Sequence, residues 1–284
     1  MLCLEVNPPR GTTLDEVWAR LDGGVEGVDF FNVTDCPLAR LRLAALPFAS
    51  LLKNRFGREP LVNLSCRDRN LMALQADLLA GWALGVRSVV ALTGDAMSVG
   101  DSPDRKGVFE VNSIGLLNCI TTLNGGQDLT GNRLNGATDY CPGVVVNPNA
   151  RNQAAELKRL QRKKDAGACY ALSQPVFDEV ASIAFFKEAH AIGLPILLGL
   201  LPLKSGRAAT GLLKIPGIRL SEGLMTRMNE DPDRDLSDFS IELCLGLAEM
   251  NRPWVSGFHV ISGATPKLAL RLTKALAGYI SGLA

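Results

Sequence analysis

Short apolar stretches alternate along the chain with longer segments of helical periodicity. This alternation is typical of a parallel sheet whose strands are joined by crossover helices. Eight segments are predicted to be strands: Leu2–Val6, Asp29–Val33, Leu61–Leu64, Ser88–Leu92, Val144–Asn147, Cys169–Ser173, Ile196–Leu200 and Gly257–Ile261. Eight strand–helix units predict an α/β fold, a closed (βα)8 TIM barrel in a single domain over residues 1–284. An open doubly wound sheet shares the local pattern and stays an alternative.

Two of the connecting segments show a clear helical pattern. After an N-terminal residue Asp68, one apolar face is formed by Leu71, Leu74, Leu78 and Trp82. The last helix has its apolar face at Leu268, Leu272, Ala275 and Tyr279, opposite Lys267, Arg271 and Lys274. Both segments are therefore predicted to pack one side against the sheet.

Two longer segments, Asp95–Glu110 and Asn124–Pro142, interrupt this rhythm and are rich in glycine and other turn residues. Loops that follow the strands of a barrel open onto its catalytic face. We therefore expect long loops there to be lids or cofactor clamps. For the second segment, an insertion without a role is an equally acceptable interpretation.

Composition and charge exclude several classes of protein. The 30 Lys and Arg residues balance 29 Asp and Glu residues, which gives a net charge of +1. The chain lacks the basic excess of nucleic-acid or membrane-surface binding proteins, so a small-molecule substrate is the expected partner. The apolar stretch Ala191–Leu203 is shorter than the roughly 18 residues of a membrane span.

The cysteines indicate a reducing environment. Seven are scattered along the chain and never form a Cys-x-x-Cys pair, so neither a disulfide framework nor a zinc site is predicted. No basic region followed by a long apolar stretch begins at Met1, so no signal peptide is expected. Together these features predict a cytoplasmic protein.

Polar residues recur where the predicted strands end: Glu5, Thr34, Asn63, Ser65, Asp95, Asn147 and Gln174. A strand buried on both faces should be apolar, so Glu5 within the first strand requires a partner or a function. Each residue alone is equally consistent with a satisfied polar group that closes a strand. Because strand ends converge at one mouth of a barrel, their recurrence predicts a polar site there.

The scarcity of histidines and the lack of nucleotide-binding motifs limit the reactions that the protein is expected to catalyse. The only histidines are His190, in a helical pattern, and His259, in the last strand, and we expect both to be buried and structural. A Ser–His–Asp triad, a histidine metal centre, a Rossmann glycine motif and a P-loop are all unsupported, and no metal is expected. Acid–base chemistry by Glu5 or Asp95, or redox chemistry of a bound cofactor, remains.

The order of several motifs resembles the methylenetetrahydrofolate reductase family over nearly the whole chain. The match includes the form fused to a homocysteine methyltransferase in some bacteria. The stretches that carry the resemblance are Leu4–Arg10 (LEVNPPR), Phe31–Thr34 (FNVT), Leu64–Asn70 (LSCRDRN), Ala91–Asp95 (ALTGD), Gly107–Gly115 (GVFEVNSIG), Val146–Asn149 (VNPN), Arg162–Ala168 (RKKDAGA) and Ser173–Asp178 (SQPVFD).

The resemblance implies a (βα)8 barrel that binds FAD and reduces 5,10-methylenetetrahydrofolate to 5-methyltetrahydrofolate. NAD(P)H would be the hydride donor, with ping-pong transfer through FAD. Glu5 matches the family's catalytic acid, Asp95 its carboxylate near flavin and folate, and Gln174 its amide that contacts folate and nicotinamide in turn. The positions that match FAD-binding residues are Thr34, Asn63, Thr93, Gly94, Asp95, Asn147, Glu156 and Lys163. We also expect a homo-oligomer.

The expected chemistry explains these residue types. The methylene bridge of the folate opens to an iminium before it accepts hydride, so an acid must protonate the departing nitrogen. A buried Glu5 with a raised pKa suits that role. Asp95 would stabilise the cationic intermediate, and Gln174 offers a donor and an acceptor to a pterin edge.

This sequence also departs from the family. Asn63 and Asn147 stand where many members have histidines, and a folate-contacting arginine is missing around Ala264. Two alternatives therefore stay open beside the flavoenzyme. One is direct hydride transfer from NADH to the folate without a flavin, and the other is a non-catalytic folate- or flavin-binding subunit of a methyl-transfer complex.

Overall fold

Eight parallel strands form a closed barrel in the computed structural model, which describes residues 1–215 and 217–282. Each strand pairs with the next in sequence, and β8 closes the barrel against β1. The strands are β1 Leu2–Val6, β2 Phe30–Val33, β3 Glu59–Ser65, β4 Ser88–Leu92, β5 Cys141–Val146, β6 Tyr170–Pro175, β7 Ile196–Leu200 and β8 Gly257–Val260. The predicted TIM barrel is confirmed, and the open sheet is excluded.

Helices cover the outside of the barrel: α1 Asp15–Leu21, α2 Ala45–Phe56, α3 Leu71–Ala83, α4 Ser113–Asn124, α5 Gln153–Asp165, α6 Glu179–His190, α7 Gly206–Leu212, α8 Glu222–Asn229, α9 Ser237–Asn251 and α10 Pro266–Ser281. The apolar faces of all of these helices except α7 and α8 pack against the outward side chains of the strands in one continuous core. Helices α7 and α8 belong to a separate cluster. Among the described residues, no helix combines the length and the apolar character that a membrane span requires.

Each strand has one face towards the surrounding helices and one face towards the inside of the barrel. Residues that alternate with the outer core point inward, where Cys3, Leu61, Val90, Leu172 and Leu197 form a separate apolar cluster. Burial of each such side chain contributes roughly 1.5–3 kcal/mol. Ser88 and Tyr170, which begin β4 and β6, lie beside this cluster and bond to each other through their hydroxyl groups at 2.7 Å. The polar residues that line the cavities lie nearer the carboxyl ends of the strands.

Strand β5 begins three residues earlier than predicted, at Cys141 instead of Val144. Pro142 and Gly143 weaken the strand signal in the sequence. In the structure the Pro142 carbonyl accepts a hydrogen bond from the Cys169 backbone at 2.8 Å. The Tyr170 ring lies 2.3 Å from where a Cβ of Gly143 would stand, so this aromatic residue fills the space that the glycine leaves.

The N-terminus of α3 corrects the sequence interpretation. Its capping residue is Asn70, whose side chain accepts a hydrogen bond from the Ala73 backbone at 2.9 Å. Glu110 accepts another from the Leu71 backbone at 2.7 Å. Asp68, the predicted N-terminal residue, instead pairs with Arg67 at 2.6 Å. The helix signal was sound, but the two candidate caps are only two residues apart and tertiary contacts decide between them.

The long segments lie at opposite ends of the barrel. Asp95–Glu110 follows β4 and therefore opens at the carboxyl ends of the strands, as expected. Asn124–Pro142 follows α4 and leads into β5, so it lies at the amino ends of the strands. The expectation that this segment is a lid or clamp at the catalytic face was therefore wrong. The sequence analysis missed a third long segment, residues 201–236 after β7, which contains α7 and α8 and forms its own small apolar cluster.

Candidate active site

Two adjoining cavities open at the carboxyl ends of the strands. The inner cavity, about 510 Å³, lies over the barrel and contains these predicted site residues in its wall: Glu5, Thr34, Asn63, Thr93, Gly94, Asp95 and Gln174. The outer cavity, about 820 Å³, lies towards α5 and adds Asn147, Glu156 and Lys163. Thr93 and Gln174 line both cavities. Closure of the barrel thus brings together all the residues that the sequence predicted for the site.

Glu5 projects from β1 into the inner cavity, and one of its oxygens is held by the loop after β8. Its Oε1 accepts hydrogen bonds from the Ser262 backbone at 3.1 Å, the Ser262 hydroxyl at 3.0 Å and the Gly263 backbone at 3.2 Å. Burial raises the pKa of Glu5, while these donors oppose that rise. The predicted direction of the shift is confirmed. The Asn7 side chain also opposes the rise in the pKa of Glu5. All three bonds from the β8 loop end on Oε1, which leaves Oε2 outside that loop's donors as the candidate oxygen for a proton.

A short hydrogen-bond chain fixes this corner of the site. The Thr34 hydroxyl donates to Asn7 Oδ1 at 2.7 Å, and Asn7 Nδ2 donates to Ser262 Oγ at 3.1 Å. The ends of β2, β1 and β8 are thereby linked to Glu5. Asn7 and Ser262 were missed by the sequence analysis, although each is a polar residue that directly follows a strand.

Two amide side chains, those of Asn32 and Asn63, bond to each other deeper in the barrel. Asn32 in β2 is buried and donates through Nδ2 to Asn63 Oδ1 at 2.8 Å and to the Leu61 carbonyl at 3.0 Å. The Asn63 carbonyl is thus engaged, which leaves its NH₂ group as the donor available to a ligand. Asn32 was also missed, because its inward orientation depends on the register of β2.

Asp95 lies at the exposed rim of the inner cavity, where its Oδ2 accepts a hydrogen bond from the Leu38 backbone at 2.8 Å. Leu38 belongs to a strained turn after β2: its φ is +54°, and Cys36 and Ala39 have φ of +43° and +51°. Non-glycine residues in this region cost of order 1–3 kcal/mol each and cluster at functional sites. The turn presents the Leu38 N–H that orients the Asp95 carboxylate.

Only glycine fits at position 94, at the rim of the inner cavity. Its φ is +96°, and a Cβ there would lie 2.2 Å from the Ser65 hydroxyl oxygen and 3.0 Å from Arg67 Cβ. Larger residues are therefore excluded by both backbone conformation and space. The close approach sets the positions of Thr93 and Asp95 on either side.

Buried ion pairs brace the loops after β2 and β3. Asp35 accepts from Arg69 Nη1 at 2.7 Å and from the Ser65 backbone at 2.9 Å. Arg67 is buried, pairs with Asp68 and donates to the Cys36 carbonyl at 3.1 Å. The carboxylates raise the pKa of both arginines against the opposing effect of burial. The sequence analysis quoted Arg67 and Arg69 within a motif and assigned them no role, and it did not single out Asp35.

The outer cavity has a basic wall formed by α5. Lys163 is buried and donates to the Val145 carbonyl, while burial lowers its pKa and Glu156 counteracts this. Glu156 accepts from the Asn147 backbone at 3.0 Å. Arg159 and Arg162 also line the cavity and are exposed, as predicted for most of this basic run. This wall can hold the phosphates of an extended ligand.

The segment after β7 supplies an apolar wall to the inner cavity. Its contributions are Leu201, Leu212, Ile215 and Ile218, joined by Ile261 after β8. Opposite this wall lie the amides and carboxylates described above. A cavity with one apolar side and a few polar groups fits a flat heteroaromatic ring. No periodic signal marked these residues, because they come from a loop and a short helix.

The two histidines differ in burial. His259 is buried in the wall of the inner cavity, where burial lowers its pKa to about 4. His190 is exposed at the end of α6 and packs edge-on against Trp254 at 5.9 Å, so its predicted burial was wrong. Within residues 1–215 and 217–282, no cluster of three or more His, Cys, Asp or Glu side chains forms a metal site.

Comparison with known proteins identifies the family. The family model described as methylenetetrahydrofolate reductase matches residues 1–276. The chain belongs to the methylenetetrahydrofolate reductase family. A 5,10-methylenetetrahydrofolate reductase of Pectobacterium carotovorum is 26% identical over 90% of this chain and 83% of the relative. The Escherichia coli protein of the same name is 27% identical over 65% of this chain and 57% of the relative.

Solved structures share the fold of this methylenetetrahydrofolate reductase family member. An uncharacterised Clostridium thermocellum protein, described as binding two copies of 5-methyl-5,6,7,8-tetrahydrofolic acid, superposes with a TM-score of 0.70 and 13% identity, over 99% of this chain and 96% of that one. A dihydropteroate synthase from Thermus thermophilus has a TM-score of 0.52 and 14% identity, over 100% of this chain and 94% of that one. At these identities the likeness concerns the barrel fold.

Proposed function

We propose that this protein reduces 5,10-methylenetetrahydrofolate to 5-methyltetrahydrofolate, with FAD as bound cofactor and NADH or NADPH as hydride donor in a ping-pong cycle. Besides membership of the family, one structural observation supports the proposal. Glu5 is partly buried in the wall of the inner cavity, with Oε2 outside the hydrogen bonds of the β8 loop, and Asp95 and Gln174 lie in the wall of the same cavity. An acid, a carboxylate and an amide are the groups that the reaction requires.

The two cavities fit FAD in size and chemistry. Each volume lies within the roughly 300–1,000 Å³ of typical ligand pockets, and the shared wall residues Thr93 and Gln174 show that the two cavities adjoin. Arg159, Arg162 and Lys163 in the outer cavity suit a pyrophosphate, whereas Thr34 and Asn63 in the inner cavity suit the edge of a flavin ring. When bound, FAD supplies two-electron redox chemistry between the nicotinamide and the folate.

Glu5 acts as the general acid in this proposal. Its Oε2–H bond breaks as a new N–H bond forms on the folate nitrogen that leaves the methylene bridge. Burial favours the protonated form of Glu5 before transfer, because it raises the pKa of the carboxyl group. The two N–H groups and one hydroxyl on Oε1 then stabilise the carboxylate that remains.

Asp95 and Gln174 orient and stabilise the substrate. The Asp95 carboxylate lies at the rim of the cavity and favours the cationic iminium electrostatically. The Gln174 amide lies between the two cavities and offers both a donor and an acceptor to a heterocycle. The apolar wall after β7 excludes water from the opposite side.

The absorbance spectrum of gently purified protein tests the proposal. We expect a flavin spectrum at roughly one FAD per chain, bleached by NADH or NADPH and restored by methylenetetrahydrofolate. Glu5→Gln is nearly isosteric, so it should keep FAD and its reduction by nicotinamide. Its folate step should slow by at least about 10²–10⁴-fold, the usual contribution of a general acid.

The alternatives give different results in the same experiment. Colourless protein that reduces the folate without added flavin would establish direct hydride transfer from NADH. Protein that binds folate or flavin but turns over neither would establish a non-catalytic subunit. Equal losses in both half-reactions of Glu5→Gln, with a lower melting temperature, would assign Glu5 a structural role.

A further inference from the structure

His259 is a buried imidazole that the proposed reaction does not use. It lies in β8 with 4% of its surface exposed, and it forms part of the wall of the inner cavity. Neither Nδ1 nor Nε2 has a hydrogen-bond partner among the described residues. Burial of an unpaired polar group costs about 1–3 kcal/mol, so an imidazole in this position calls for a polar partner from the cavity.

The barrel register places His259 below Glu5. His259 pairs with Cys3 in β1, and Glu5 is the next inward residue along that strand. Two residues of rise and one strand spacing separate their Cα atoms by roughly 8 Å. On its other side His259 pairs with Gly199 of β7, where the β6 backbone at Ser173 and Gln174 approaches too closely for a side chain. Glu5 and His259 both line the inner cavity, which offers space for a water molecule between them.

We propose that His259 and Glu5 together bind a water molecule at the floor of the inner cavity, and that this water positions Oε2 of Glu5. The inference rests on the proposed acid role of Glu5. The water donates one hydrogen to Oε2 and bonds to the imidazole, and no proton leaves the histidine. After Glu5 has protonated the folate nitrogen, the water stabilises the new carboxylate. His259 is thus a positioning residue.

The other titratable groups around this floor do not compete for the role. His259 is neutral at neutral pH, since burial lowers its pKa to about 4, so one ring nitrogen accepts and the other donates. Cys3 and Tyr170, inside the lower barrel, stay protonated because burial raises the pKa of each. The remaining charged residues of the cavity wall are Asp35, Arg40, Arg42, Arg67 and Asp95, which lie on the loops above.

Stopped-flow measurement of the two half-reactions in three variants tests the proposal. His259→Leu removes the water-binding group, so the folate step should slow about tenfold and its alkaline limb should move to higher pH as Glu5 becomes a weaker acid. Nicotinamide oxidation should be unchanged. His259→Gln retains a polar group and should stay within about threefold of the wild type. The matched control is His190→Leu, the same change on the outer surface.

A measurement independent of turnover separates this proposal from the proposed function. With only two histidines in the chain, ¹⁵N-labelled imidazole signals are assigned directly by the His190→Leu variant. If a water molecule bridges the two side chains, the chemical shifts of the His259 signals should change in the Glu5→Gln variant. Unchanged His259 signals, or a wild-type folate rate and pH profile in His259→Leu, would overturn the proposal. If Glu5→Gln leaves folate reduction intact but shifts these signals, the water site stands and the acid role of Glu5 fails.

Discussion

At the scale of single residues, the two carboxylates of the inner cavity have contrasting surroundings. Glu5 is enclosed by the barrel, with three hydrogen bonds on one oxygen and a pKa raised by burial. Asp95 is exposed and accepts one backbone hydrogen bond, from Leu38. Such a difference in environment is the usual means by which one site assigns an acid role to one carboxyl group and a charge-stabilising role to another.

Asp95→Asn tests the charge-stabilising role. The amide preserves shape but removes the negative charge beside a cationic intermediate, so the folate half-reaction should fall about 10²-fold or more. Flavin reduction by nicotinamide should change far less. Stopped-flow absorbance of the flavin measures both steps. The control is Asp104→Asn, an exposed position in the same loop; equal losses in both steps of Asp95→Asn would show that Asp95 mainly holds the cofactor.

At the scale of elements, the loops after β2 and β4 interlock over the cavity. Besides the Leu38 to Asp95 bond, the Asp101 backbone donates to the Ala39 carbonyl at 3.3 Å. A Cβ on Gly100 would lie 2.1 Å from that same carbonyl oxygen, so the two backbones are in close contact. The segment expected to clamp a cofactor is therefore itself held in place by a strained turn of another loop.

Gly94→Ala should disrupt this arrangement. The added methyl group meets the Ser65 hydroxyl at 2.2 Å on a backbone with positive φ, which should lower the free energy of unfolding by about 1–3 kcal/mol. Displacement of Thr93 and Asp95 should also weaken flavin binding. Thermal melting and flavin titration measure the two effects.

Gly131→Ala is the matched control for that variant. Gly131 has a similar φ of +88°, but a Cβ there meets nothing within 4 Å, and the residue lies on the opposite face of the barrel. We expect a loss of about 1 kcal/mol and wild-type flavin affinity. If Gly94→Ala behaves like this control, the steric argument for Gly94 is wrong.

At the scale of the whole molecule, the buried acid makes folding stability depend on pH. The folded pKa of Glu5 lies above its ordinary value of 4.5, so the native state holds the proton over a range in which the unfolded chain has lost it. The native state then binds more protons than the unfolded state, and stability falls as pH rises through that range. Glu5 therefore contributes least to the free energy of unfolding at pH values above its folded pKa.

Glu5→Gln should remove this dependence. Relative to the wild type, the variant should gain stability as pH rises from about 4.5 towards the folded pKa of Glu5, while near pH 4 the two should differ least. Chemical denaturation of both proteins at a series of pH values measures the difference. A constant difference at every pH would show that Glu5 has the same pKa in the folded and unfolded states.

Several elements were predictable because their signal is local. The bounds of β1, β4 and β7 agree with the structure, since each is a short apolar run between turn residues. The location of the polar strand-end residues at the mouth of the barrel was predictable for the same reason, whereas their functional roles stay predictions. Expectations of a homo-oligomer and of a cytoplasmic location stay predictions, because they concern surfaces and surroundings outside a single chain.

Other features depended on contacts between distant segments. Asn32, Asn7 and Ser262 acquire their hydrogen-bond partners only when β2, β1 and β8 stand side by side. The positions of Asn7 and Ser262 after strands gave a local signal, but their contacts with each other did not. The apolar wall of the segment after β7 and the end of the barrel at which Asn124–Pro142 lies follow likewise from chain topology.

The sequence by itself determined the strand–helix alternation, the barrel class, the family and the polar residues at the mouth of the barrel, because periodicity and motif order are properties of the chain. The tertiary structure decided which oxygen of Glu5 is held by the loop after β8. It also decided that His259 lies beneath Glu5 and that the two cavities adjoin. These depend on strand register and ring closure, which join residues as far apart as Glu5 and Ser262.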